Sequence, residues 1–110
     1  MGYHAMSESD IKTKYGGRPL IINDTNLLVT KSGDIYRKMK SSKWKKIENK
    51  KNHFKGYNVI LIDKKQYMRS KLIAMAYFQL DTKKKFYITH NNGDKLDANI
   101  YNIRIVYVKN

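Results

Sequence analysis

The chain has 110 residues, which suits one domain with a modest core and is too short to stabilise two. Its 23 Lys and Arg against 9 Asp and Glu give a formal net charge of +14, an excess that repels itself in a compact fold and points to a polyanionic partner, nucleic acid first and an anionic membrane second. The absence of Cys excludes disulfides and thiolate chemistry, and without a signal peptide or an apolar run near the ~20 residues that span a bilayer, a cytoplasmic protein with no membrane contact is expected.

Residues 1–6, Met-Gly-Tyr-His-Ala-Met, resemble a cloning scar ahead of a native start near Met6. The polar stretch 7–19, with Gly16, Gly17 and Pro19, reads as a flexible lead-in. A single domain is therefore expected over 20–110. Residues 20–22 fit a short strand. The β-prone run Leu27-Leu28-Val29-Thr30, the turn residues Lys31-Ser32-Gly33-Asp34 and the run Ile35-Tyr36-Arg37-Lys38 predict a hairpin. A third strand over 43–47 would turn Trp44 and Ile47 to the core.

A charged loop over 48–55 leads to a clear strand, Gly56-Tyr57-Asn58-Val59-Ile60-Leu61-Ile62. The chain turns at Asp63-Lys64-Lys65 and returns over 66–68. Leu72, Ile73, Ala76 and Tyr77 fall on a helical stripe, so 69–79 is the predicted central helix, with Ser70 as its N-cap. After a basic loop, strands are predicted over 86–89 and 103–108. Between them lie the Asn-Gly-Asp turn at 92–94 and one expected helical turn at 97–102. The class is α+β: small antiparallel β elements around one central helix, ending in a hairpin.

Four blocks in order carry a resemblance over 28–106. The first is Val29-Thr30-Lys31-Ser32-Gly33-Asp34-Ile35-Tyr36 followed by Trp44-Lys45. The second is Gly56-Tyr57-Asn58-Val59-Ile60-Leu61, and the third is Lys71-Leu72-Ile73-Ala74-Met75-Ala76-Tyr77-Phe78. The fourth is Thr89-His90, Asn92-Gly93-Asp94, Leu96-Asp97 and Asn102-Ile103-Arg104, with Asn102 twelve residues after His90. Together they resemble phage-type HNH homing endonucleases. The resemblance implies a phage or mobile-element origin and a ββα-metal unit. In that unit His90 is the catalytic base that activates water, and Asn102 is the residue that braces the loop. Where the family carries a metal-binding carboxylate, this chain has Thr89, a poor ligand for a hard cation such as Mg²⁺. The last family ligand falls beyond Asn110. The resemblance therefore implies a truncated ββα-like hairpin with an incomplete catalytic site. Asp94 and Asp97 are the substitute ligands on offer for Mg²⁺ or Mn²⁺, and an ordinary turn is the alternative for both.

The basic residues Lys43, Lys45, Lys46, Lys50, Lys51 and Lys55, interleaved with Trp44, His53 and Phe54, suit a phosphate-tracking surface. Lys83, Lys84 and Lys85 lead into the His90 strand and form a second patch. The alternative for each is a solvated Lys-rich face. Arg104 is a further phosphate-clamp candidate. Because Lys dominates over Arg, general phosphate attraction is expected rather than base reading. Two readings follow: a DNA-binding protein descended from an HNH nuclease, with a host DNA-handling protein as a further partner on offer, and an active metal-dependent nicking enzyme. A third is a phage inhibitor that docks on an acidic host protein.

Overall fold

The computed structural model describes residues 5–48, 53, 55–78, 80, 81 and 83–109. The order is β1 (Ala5–Met6), α1 (Glu8–Tyr15), β2 (Arg18–Ile22), β3 (Thr25–Val29), β4 (Ile35–Lys38) and β5 (Trp44–Lys46). Then follow β6 (Val59–Ile62), β7 (Lys65–Met68), α2 (Arg69–Tyr77), β8 (Phe86–His90) and β9 (Ile103–Tyr107). The class is α+β. One five-stranded antiparallel sheet runs β1-β5-β4-β3-β2, and β6–β7 and β8–β9 form two separate hairpins.

The middle of the sheet is buried on both faces because β3 and the start of β4 alternate two kinds of apolar contact. Leu27, Val29 and Ile35 enter the main core with Ile60, Ile62, Leu72 and Ile73. Their neighbours Leu28 and Tyr36 point the other way and meet Ile11 and Trp44. Trp44 and Ile47, expected on one face, are therefore divided: Trp44 packs with Ile11, and Ile47 packs against the main core. Their odd spacing along an extended chain requires this.

The expected lead-in is part of the folded sheet domain. Ala5 and Met6 pair with Lys45 and Trp44, and 8–15 is helical. Ser7 caps α1 by accepting from the Asp10 amide at 3.1 Å, and Gly16 closes it in the left-handed conformation. Ile11 is fully buried. A Cβ at Gly17 would stand 2.8 Å from Ile11 Cγ2. The two glycines that suggested flexibility thus end a helix and let the chain pass close beneath it.

Two hairpins turn on non-glycine residues in left-handed conformations. Asn23 (φ 47) and Asp24 (φ 65) join Ile22 to Thr25, and Asp63 (φ 52) and Lys64 (φ 67) join Ile62 to Lys65. Positive φ at both central residues gives the turn whose twist matches paired strands.

α2 packs against β2, β3, β7 and β9, burying Leu72, Ile73 and Ala74 completely. Its N-cap position is Met68, without a side-chain capping bond. Ser70, the expected cap, lies inside the first turn and spends its hydroxyl elsewhere. Arg69 joins three parts of the chain. Its Nε donates to Asn58 Oδ1 at 2.7 Å, Nη1 to the Gly33 carbonyl at 3.0 Å, and Nη2 to the Ile47 carbonyl at 3.3 Å. Burial pulls the guanidinium below its ordinary value, partly offset by Asp34. Gly33 (φ 98) also lies where a Cβ would be 3.0 Å from the Ala98 carbonyl carbon, so the β3–β4 turn and the β8–β9 loop touch through bare backbone.

The segment 97–102 holds no helical turn. Asn92, Asp94, Asp97 and Asn99 each accept, through Oδ1, from the backbone amide two residues on, at 2.8–3.1 Å. Short polar side chains at this density bond their own backbone and displace helix hydrogen bonds.

Candidate nucleic-acid interface

His90 ends β8 directly opposite Ile103. Its Nε2 lies 2.8 Å from Ser70 Oγ, and Ser70 is only 2% exposed. The first turn of α2 therefore fixes the imidazole. Burial holds the His90 ring below its ordinary pKa; Asp94 and Asp97 pull it back up, and Lys95 lowers it further.

The groove beside His90 has a volume of about 710 Å³. Lys55, Lys71, Lys84, Lys85 and Lys95 line it with His90, over Tyr57, Met68, Phe86 and Ile88. These five lysines come from four separate parts of the chain. Lys95 Nζ donates to the Lys55 carbonyl at 3.1 Å, which draws the 55–57 segment to the loop after β8. Lys71 Nζ lies 5.7 Å from the Phe86 ring centre, and Lys84 Nζ lies 5.9 Å from that of Tyr107. Of these, Lys55, Lys84 and Lys85 were expected from the sequence. Lys71 was read only as part of a helix block, and Lys95 was not singled out; neither carries a local signal. Ser70 was misread as a cap.

The remaining cations lie elsewhere. Lys45 and Lys46 line a second groove of about 750 Å³ with Arg37, Lys38 and Lys40. Lys46 also pairs with Asp34 at 3.5 Å, a contact exposed to solvent. Lys43 and Lys83 are exposed and border neither groove. Lys50 and Lys51 lie outside the described residues, as does Phe54. Arg104 sits opposite Thr89, on the strand face away from His90, and lines a small hollow with Phe78, Leu80 and Tyr107. It does not join the His90 groove. Trp44 is 3% exposed and offers no face to a base.

Asn102 is 8% exposed and its amide is spent on loop backbone. Oδ1 accepts from the Asn92 amide at 3.0 Å and Nδ2 donates to the Asp97 carbonyl at 2.9 Å. The Asn91 amide bonds the Asn102 carbonyl at 2.7 Å. Asn102 therefore ties the start and the middle of the loop together, and its side-chain amide is committed to backbone.

The donors do not assemble into a site for Mg²⁺ or Mn²⁺. Asp94 and Asp97 accept from loop amides, and Asp97 Oδ2 also accepts from Asn92 Nδ2 at 3.3 Å. Thr89 is neutral and projects from the opposite strand face to His90. Among the described residues no group of three His, Asp or Glu side chains converges. Among the same residues, no helix is long and apolar enough to cross a membrane. The chain matches no family model, no curated protein and no solved structure.

Proposed function

We propose that this protein binds DNA through its phosphate backbone, as a relative of HNH homing endonucleases whose catalytic site is incomplete. The observation that carries the reading is the groove at His90, where five lysines from distant parts of the chain converge. Like charges gathered on one concave surface repel each other, and a polyanion relieves that repulsion while releasing its own counterions. The β8–loop–β9 hairpin stands for the two strands of a ββα-metal unit, with His90 at the end of the first and Asn102 as its brace. With the carboxylates committed to the loop, His90 lacks the partners that a metal-assisted cleavage needs.

The test is affinity for a DNA duplex across a salt series. Five neutralised phosphates give a slope of log affinity against log salt of about −4 to −5. A Lys71→Glu/Lys84→Glu/Lys95→Glu variant should flatten that slope and weaken binding. An affinity indifferent to salt, or unchanged in the variant, would dismiss the reading.

One observation favours active nicking as a second reading. His90 lines the groove, and burial lowers its pKa, which favours the neutral ring that a general base requires. Supercoiled plasmid incubated with Mg²⁺ or Mn²⁺ separates the two. Nicking that disappears in His90→Ala selects the enzyme; persistence of intact plasmid selects the binding protein.

A further inference from the structure

We infer that the His90 groove is built for an unpaired nucleic-acid strand rather than a duplex, with phosphates on its lysines and a base on the face of Tyr57. This rests on the phosphate-binding reading above and goes beyond it by naming the form of the polymer. A groove that served duplex phosphates alone would need charge and no ring faces. This one contains both. Tyr57 lines it as a prepared platform, its ring stacked on His53 with centroids 4.5 Å apart and planes 6° from parallel. Phe86 lines it beside the Lys71 ammonium, with Tyr107 edge-on to its ring at 6.2 Å. Tyr87, 53% exposed, stands at its border.

The backbone points the same way. β8 pairs with β9 alone among the described residues. The bonds from Val108 to Lys85 and from Asn91 to Asn102 fix which residues face β9. By the alternation of an antiparallel ladder, the main-chain groups of Phe86 and Ile88 turn to the other edge. Phe86 and Ile88 themselves line the groove, so amides on that edge would meet phosphate oxygens beside the lysines. A duplex keeps its base faces stacked on one another and presents only edges and phosphates. An unpaired strand presents every face, and ring faces set in a cationic groove are complementary to that form.

The experiment is fluorescence anisotropy of the full chain with a labelled mixed-sequence DNA strand of about 12 nucleotides, the same sequence as RNA, and the annealed DNA duplex. The expected result is that at least one single strand binds about tenfold or more tighter than the duplex. Tyr57→Leu should remove about tenfold of the single-strand affinity and change duplex affinity by less than about twofold, and Tyr57→Phe should retain the preference. Should Tyr57→Leu fail to fold, Phe86→Leu is judged by the same criterion. Duplex binding as tight as single-strand binding, or a preference untouched by losing the ring, overturns the inference and leaves phosphate binding standing. No binding of any of the three at low salt overturns both.

Discussion

Replacing Arg69 with Leu should be the most damaging single change outside the apolar core. The guanidinium donates three bonds, at 2.7, 3.0 and 3.3 Å, to Asn58 Oδ1 and to the Gly33 and Ile47 carbonyls. Charge-assisted bonds contribute about 1.5–3 kcal/mol each, and the two shorter ones should carry most of it. Against that stands the cost of burying the cation, visible in its lowered pKa. Leu relieves the cost but leaves three acceptors without their donor. The balance is a loss of about 3–5 kcal/mol, in the range found when one partner of a buried charged contact is removed. A small domain holds only about 5–15 kcal/mol in total, so the variant should sit near the edge of folding. Arg69→Lys keeps the charge, but one ammonium cannot reach three acceptors in a fixed plane, so it should lose about half as much. Urea unfolding followed by Trp44 fluorescence measures this, because Trp44 is buried in the second core and reports on the sheet. A loss under about 1 kcal/mol with an unchanged denaturant slope would show that Arg69 does not clamp the sheet to the hairpins.

Three further outcomes are expected. Asn102→Ala removes two side-chain bonds to loop backbone and should cost about 2–3 kcal/mol, with amide exchange quickening first over 91–101. Ile11→Ala empties the contact between α1 and the outer sheet face and should cost about 2–4 kcal/mol; a negligible loss in a thermal melt would mean that α1 is not part of the domain. Folding holds His90 below its ordinary pKa, so the unfolded chain takes up the proton first as pH falls. The stability contributed by the neutral ring is thus full above about 6.5 and declines as pH drops through the lower folded value. Stability profiles of wild type and His90→Gln between pH 7.5 and 5, on the order of two pH units around that point, should differ in slope, with the wild type falling faster; parallel profiles would refute a buried neutral imidazole.

Much of the architecture was legible because it rests on local chemistry. The run at 27–38, the strand at 59–62 and the helix beginning at Arg69 follow from apolar period and turn residues, and the structure places them there. The readings that failed did so where one residue type serves two purposes. Gly16 and Gly17 read as slack, yet here they end α1 and admit Ile11. Ser70 read as a cap because it precedes an apolar stripe, but the cap position is Met68, two residues earlier, and Ser70 lies inside the first turn. One helical turn was expected over 97–102, and there the Asp97 and Asn99 side chains took backbone amides instead.

The candidate site was legible only in part. His90 and Asn102 stood out through motif spacing, and the net charge of +14 gave the expectation of a polyanionic partner. Nothing in the sequence joins Lys71 and Lys95 to Lys84 and Lys85, or sets Arg104 apart from them. Helix α2 decides the first, by packing under the hairpin and presenting Lys71 beside Phe86. Strand alternation decides the second, by turning Thr89 and Arg104 to one face and His90 to the other. Composition and period are properties of neighbours along the chain, so they fix which elements form and the sign of the surface. Which cations share a groove depends on how those elements dock, and docking is settled by shape and buried contact between residues far apart in sequence.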